Sequence, residues 1–327
     1  MSQPSAPCIV ADIGGTNSRV ALCREGRLCP GSTRRYRNAD HTDFEAILDT
    51  YLTETDAPAP AQACIALAGP VRDGAGEMTN LDWTLTESRL STAIGGRPVT
   101  LLNDLQAQGH ALGRIVADSM HPLLTGAKPA PGAAQLVIGV GTGFNAAAVH
   151  EAPCGRLVLA SECGHAGLPV RDEAEFALSR HLAADHGFAA VEDVLSGGGL
   201  ERLDRWLGAG EGGGPARGSR EIMQAIAAGE PRARHTGRVF AGLFGAMAGD
   251  LALIHLPFGG IWLVGGMARA FAPYLMDFGF AEAFHDKGRF APFMESFAVT
   301  VIEDDYAALT GCAAYLRQRC GDLGAPA

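Results

Sequence analysis

Two glycine-threonine turns, each after a short apolar run, are the groups in this chain best suited to chemistry: ADIGGTNSRVAL from Ala11 and VIGVGTGFNAAAV from Val137. With only Gly, Thr and Asn at the bend, successive backbone N–H groups can face one anion. In the first turn Asp12 stands at the strand end, where a carboxylate can hold a magnesium ion directly or through water, and Gly14, Gly15 and Thr16 would wrap phosphates. The second copy offers Gly141, Thr142 and Gly143. A hairpin also takes a double glycine with no ligand, but the repetition of the turn favours phosphate. No GxxxxGK[ST] occurs, and the first turn leads into another strand where a P-loop would lead into a helix. Between the copies the run LLND stops on Asn103 and Asp104. Phosphoryl transfer passes through a loose transition state, so a carboxylate within hydrogen-bond reach of the attacking hydroxyl suffices as base. Asp104 is the candidate; its competing role, compatible with the first, is N-cap of a helix over LQAQGHALGRI. Two phosphate turns flanking a strand-end acid point to a nucleotide-dependent kinase.

A second set of residues has the types that read a sugar. SECGHAG places Glu162 and His165 three apart in a glycine-containing bend, and Glu192 precedes the glycine-rich SGGGL. Vicinal hydroxyls donate to carboxylates and amides, with a donor such as His completing the pattern; Asn103, Asp104, Glu162, His165 and Glu192 form such a set. Spacing alone leaves other roles open: metal binding or a satisfied buried imidazole for His165, a surface acid or helix N-terminal charge for Glu192. In GGIWLVGGMARAF the backbone at Gly265 and Gly266 can approach a flat adenine ring, or simply make a tight strand-to-helix turn.

The elements that must position these residues repeat. The N-terminal part reads as strands in CIVADIG, SRVALCR and near STRRYR, then an amphipathic helix with Phe44, Ile47, Leu48, Tyr51 and Leu52 on one face. A strand in ACIALAG, the irregular MTNLDWTL, a helix near Glu87 to Ile94 and the strand VTLLND follow. From Gln135 the order resumes with AQLVIGVGTG, FNAAAVHE and RLVLA, then helices. A duplicated βββ unit with a phosphate turn after its first strand predicts two similar lobes facing a nucleotide. GAGEGGGPARGS from Gly208 reads as a surface loop between helices, and the C-terminal DYAALTGCAAYLRQRCG as an amphipathic helix returning to the N-terminal lobe.

At 327 residues the chain has room for two lobes and a cleft. Its 26 basic and 36 acidic residues leave a net charge of -10 with no basic cluster, so nucleic acid is not an expected partner. Eight cysteines without a CxxC pair read as reduced thiols, and MSQPSAPC lacks an export signal, so the cytoplasm is the expected location. The apolar stretch from Val239 to Met276 is interrupted by Asp250, His255 and Pro257 and changes from helical to strand pattern. It reads as a buried helix and a central strand, with no membrane association.

Taken in order, VADIGGTNSRVAL, MTNLDWTL, LLNDLQA, GVGTGF, ECGH, VEDVLSGGGL, FGG with VGG, and DKGRF resemble the bacterial ATP-dependent glucokinases from about Ile9 to Arg317. The resemblance implies an α/β, two-lobed actin-like (ribonuclease-H-like) ATPase fold with a duplicated βββαβα core and an interlobe cleft. The expected division is a small lobe of 1–115 plus 306–327 and a large lobe of 116–305. It further implies magnesium and ATP as cofactors, phosphorylation of glucose at its 6-hydroxyl, and a homodimer. Ala11, Asp12, Ile13, Gly14, Gly15 and Thr16 match the ATP phosphate loop, Asp104 the base, and Asn103, Glu162, His165 and Glu192 the glucose contacts. The cysteine-rich zinc motif of the related repressor, open-reading-frame and kinase group is missing, which places the chain in the zinc-free branch. Four positions depart from the family pattern: Phe144 and Asn145 after the second turn, Cys163 in place of the glycine of EGGH, and Met267 where a proline is expected after Gly266. An exposed Cys163 beside the sugar would make the site sensitive to thiol oxidation. Alternatives are the same chemistry on another hexose or donor, and a sugar sensor without turnover.

Overall fold

The computed structural model describes residues 6–78, 81–210 and 215–322. Thr79 and Asn80 of MTNLDWTL, and residues 211–214 of the glycine-rich run, lie outside the described residues. The chain divides into two compact units, the first made of 1–116, 152–158 and 304–327, the second of 117–151 and 159–303.

In unit 1 the strands are β1 (Cys8–Ile13), β2 (Asn17–Arg24), β3 (Arg27–Leu28), β4 (Arg34–Arg37), β5 (Ala63–Leu67) and β9 (Val99–Asn103), in the order β3-β2-β1-β5-β9 with β4 also on β2. β1 is antiparallel to β2 and parallel to β5, which is parallel to β9. Strand alternation assigns the faces. Ile9, Ala11 and Ile13 join α1 (Phe44–Thr55) and α2 (Glu87–Ala93) in one core. Val10, Cys64, Ala66 and Leu102 join α3 (Asp104–Ala111) and α11 (Ala307–Asp322) in another. With helices on both faces, β5 is buried along its whole length, which is why ACIAL is an unbroken apolar run. A small sheet of β6 (Val71–Arg72), β7 (Ala75–Glu77) and β8 (Thr84–Thr86) completes the unit.

Unit 2 repeats the plan. β10 (Met120–Leu124), β11 (Gln135–Val140), β12 (Phe144–Ala152), β13 (Gly155–Ala160), β14 (Ile261–Val264) and β15 (Val299–Ile302) run in the order β10-β15-β14-β11-β12-β13. Again an antiparallel hairpin, β11-β12, is followed by parallel strands, β14 and β15, on the other side of its first strand. The helices are α4 (Glu173–His186), α5 (Gly197–Gly210), α6 (Ser219–Ala227), α7 (Pro231–His255), α8 (Gly266–Phe271), α9 (Phe280–His285) and α10 (Ala291–Met294). Helix α7 is long and apolar enough to cross a membrane, yet 67% of its most apolar window is buried inside the protein, the pattern of a core helix. Phe240 stacks on Phe271 at 4.4 Å and Phe244 meets Phe280 edge-on at 5.2 Å. Gly249 lets α9 close in, since a Cβ there would stand 2.6 Å from the Phe284 carbonyl oxygen.

Two expectations are corrected. The glycine-rich loop does not begin at Gly208: Gly208 to Gly210 form the last turn of α5, carried by the amphipathic LERLDRWL before them. Likewise SGGGL is no turn, because Gly197, Gly198 and Gly199 open α5, with Ser196 Oγ accepting from Gly199 N at 2.9 Å. A serine cap outweighs the poor helix propensity of glycine in a first turn.

The contact between α3 and α11 needs Gly311, where a Cβ would fall on the carbonyl oxygen of Ala107. Gly311→Ala is expected to lose about 1–3 kcal/mol by overpacking, seen as a lower urea midpoint at unchanged slope. An unchanged midpoint would contradict this packing.

Candidate active site

Each unit carries candidate site residues at the end of its first hairpin. In unit 1 the three-residue bend Gly14–Gly15–Thr16 joins β1 to β2, and Gly14 N donates to Asn17 O at 3.0 Å. Asn38, 2% exposed, braces the bend: its Nδ2 donates to Gly14 O at 2.7 Å, its N to Thr16 O at 3.0 Å, and its Oδ1 accepts from Ser18 Oγ at 2.8 Å. The Gly14 and Thr16 carbonyls are thereby taken up. Among the described residues, the N–H groups of Gly15 and Thr16 find no partner within the chain, which leaves two donors to present to an anion. Asn38 was invisible in the sequence because nothing local marks a brace 24 residues from Gly14.

Asp12 lies on β1 opposite Arg19 of β2, and Arg19 Nη1 donates to its Oδ2 at 3.2 Å. Burial raises the carboxyl pKa, Arg19 pulls it back, and the nearby charge of Asp305 raises it further. The Arg19 pairing was legible in principle, since a hairpin centred between Gly15 and Thr16 puts residues 12 and 19 face to face.

At the end of β9, Asn103 caps α3 and Asp104 follows as its first residue. Asn103 Oδ1 accepts from Leu105 N at 2.9 Å, Gln106 Oε1 accepts from Asn103 N at 3.1 Å, and Asn103 Nδ2 donates to Gly69 O at 3.0 Å. The N-cap expected of Asp104 is therefore Asn103, because the amide reaches both Leu105 and the Gly69 carbonyl. Asp104 is the first helical residue and its Oδ1 accepts from Leu105 N at 2.8 Å. A carboxylate in a helix's first turn is stabilised as the anion, the form a base requires.

In unit 2 the Gly141–Thr142–Gly143 bend is braced by Glu192. Its Oε2 accepts from Phe144 N at 2.7 Å, and a Cβ on Gly143 would lie 2.5 Å from that oxygen. The first residue of α5, Gly197, donates its N–H to Gly141 O at 2.8 Å, so the positive end of a 14-residue helix abuts the bend. Gly265, in the left-handed region at φ 100°, packs without a side chain against the Val140 backbone, so its missing Cβ serves the β11–β14 contact. Gly266 faces open space, and its N lies 3.9 Å from where a Gly141 Cβ would be.

The sugar-type residues of unit 2 are joined to this bend. Thr142, His165 and Glu192 line one cavity of about 430 Å³ together with Ser196, Arg202 and Phe188. Glu162 does not line that cavity; Asn145 Nδ2 holds its Oε2 at 3.0 Å. Asn145 is the hub here, its Oδ1 accepting from Ala146 N at 2.9 Å and from Ser161 Oγ and Cys163 N at 3.2 Å. A position noted only as departing from a family pattern thus orients a carboxylate assigned to the sugar. Gly164 must lack a side chain, since a Cβ would fall on the Phe144 carbonyl oxygen. Arg202 escaped the sequence reading because it lies on α5, ten residues past Glu192; its Nε donates to Asp193 O at 3.0 Å.

The duplicated βββ plan, with a glycine bend at the tip of each first hairpin, defines an α/β actin-like sugar kinase. The glucokinase family model matches residues 9–319. A glucokinase of Caulobacter vibrioides is 35% identical over 316 residues, covering 94% of each chain. The chain belongs to the glucokinase family. The crystal structure of a glucokinase from an Antarctic psychrotroph aligns with a TM-score of 0.83 at 29% identity over 95% of this chain and 98% of that one. A glucokinase of Balamuthia mandrillaris, crystallised in complex with glucose, shares the fold at a TM-score of 0.80 and 20% identity, covering 96% and 94% of the two chains.

The exposure of Cys163, which the sequence left open, is settled by the structure. The side chain is half-buried, and burial pushes its pKa up despite hydrogen bonds to Ser161 and the Ala146 backbone. A raised pKa means less thiolate at neutral pH. Iodoacetamide is therefore expected to alkylate the exposed Cys154 before Cys163 at pH 7, with Cys163 catching up only as pH rises; peptide mapping that finds Cys163 labelled first would contradict this.

Proposed function

We propose that the protein transfers the γ-phosphoryl group of ATP to the 6-hydroxyl of D-glucose, giving glucose 6-phosphate and ADP, with Asp104 as general base. The observation that carries the reading is the repeated braced bend, which presents backbone N–H groups at a strand end in both units while a strand-end carboxylate waits on β9. Asp104 accepts the O6 proton as the oxygen attacks phosphorus. Asn103, held by Gly69 and Gln106, orients a neighbouring hydroxyl, and Glu162, His165 and Glu192 complete the sugar contacts. The Gly14–Thr16 and Gly141–Gly143 bends grip the phosphates, and Gly266 leaves room for the adenine. The reading requires residues 1–115 plus 306–327 and residues 116–305 to act as lobes around one sugar, with closure excluding water as an alternative acceptor.

Asp12 fits a magnesium ion. Magnesium is held by one or two carboxylates plus substrate phosphates, and Asp12, with the Asp305 charge close by, is a carboxylate whose anion a divalent cation would stabilise. Such an ion would neutralise the charge of the phosphates. The same proposal includes work in the cytoplasm at the entry step of glycolysis, as a homodimer.

Asp104→Asn tests the base. Turnover is expected to fall at least a hundredfold, roughly the contribution of a positioned general base. Glucose affinity, measured calorimetrically, should stay within about tenfold. Preserved turnover would remove Asp104 from the mechanism.

A further inference from the structure

At the end of β1 away from the glycine bend, a second reactive cluster takes no part in phosphoryl transfer. Cys8 opens β1 and stands opposite Cys23 of β2 in the antiparallel register. Directly opposed residues have Cα atoms about 4.5–5.5 Å apart, inside the range a disulfide spans. The two thiols already hydrogen-bond to each other. Cys23 is 1% exposed, whereas Cys8 is partly open. Both line a cavity of about 760 Å³ with Arg24, Arg27, Arg317 and Gln62. Positive charge is dense here: Arg114 donates to the Gly26 carbonyl, and its pKa is lowered by burial and by the charges of Arg317, Arg156 and Arg27. In a chain of net charge -10, three arginines against the single acid Glu25 make this cavity select anions.

We propose that Cys8 is a thiol–disulfide exchange site for anionic low-molecular-weight disulfides, with Cys23 as its resolving thiol. The Cys8 thiolate attacks one sulfur of the incoming disulfide, the S–S bond breaks, and the other half leaves as a thiolate. Cys23 then gives up its proton and attacks the Cys8 sulfur, forming the Cys8–Cys23 bond and expelling the second thiolate. Two electrons pass from the protein thiols to the small disulfide. The order follows from the environments. Hydrogen bonds from Cys23 and Gln62 and the charge of Arg24 outweigh burial and lower the Cys8 pKa to about 7, while contact with Cys8 and burial raise that of Cys23. Cys8, Val10 and Asp12 alternate onto one face of β1, so the new bond lies about 13 Å along the strand from Asp12.

The full-length reduced protein would be treated with glutathione disulfide, and in parallel with the neutral 2-hydroxyethyl disulfide, then followed by intact mass and peptide mapping. Wild type should lose two protons in forming a Cys8–Cys23 disulfide, Cys23→Ser should stop at one glutathione on Cys8, and Cys8→Ser should do neither. Arg317→Ala should slow the anionic reagent about fivefold and leave the neutral one within about twofold. Mapping on the wild type needs no variant to fold: glutathione found on Cys154 with Cys8 still a free thiol, or equal preference for both reagents, would overturn the proposal.

Discussion

Each glycine bend is held from outside by one side chain that reaches in from a distant segment, and the candidate site depends on these two braces. In unit 1 the brace is the Asn38 amide on the carbonyl of Gly14; in unit 2 it is the Glu192 carboxylate on the N–H of Phe144. A buried polar group without a partner is costly, so the Asn38 side chain is satisfied on its other side as well, and the segment carrying Glu192 is tied through its backbone. Ser18 donates to Asn38, and Ser196 ties the Glu192 backbone to the start of α5. The glycines are required by these contacts, as the clash that a Gly143 side chain would make with Glu192 shows.

The unit 2 brace also links two tasks. Glu192 lines the cavity that holds His165 while one of its oxygens fixes the strand start beside the Gly141–Gly143 bend. One carboxylate is thus shared between the cavity lining and the glycine bend. Asn145 plays the same part for Glu162, and Asn103 for Asp104, where one side chain caps a helix and ties it to Gly69. Each carboxylate assigned to chemistry is adjacent to an amide or backbone group that fixes its rotamer. That arrangement holds the carboxylate in position for chemistry.

Hydrophobic runs and glycine bends made the two sheets legible from sequence, since the two-sided burial of β5 and the alternation of β1 are local signals. The repeated GGT and GTG motifs likewise marked the two bends at the hairpin tips. What stayed hidden is what depends on distant partners. The sequence around Asn38 has no feature that says it meets Gly14, and the serine cap that turns SGGGL into a helix start was overridden in reading by glycine's poor propensity. The exposure of Cys163 stayed open because burial by neighbouring elements cannot be seen in a local window. Asn103, not Asp104, became the cap because its amide serves two partners at once, a choice only the Gly69 carbonyl explains.

The central claim is chemical: this protein phosphorylates glucose from ATP. The most direct measurement is coupled-assay turnover of the purified protein with magnesium and ATP on glucose, with mannose, fructose and N-acetylglucosamine alongside and the product identified by NMR. The account predicts ADP release matched by glucose 6-phosphate, with glucose strongly preferred. Glucose binding without turnover, or turnover confined to another sugar, would contradict it.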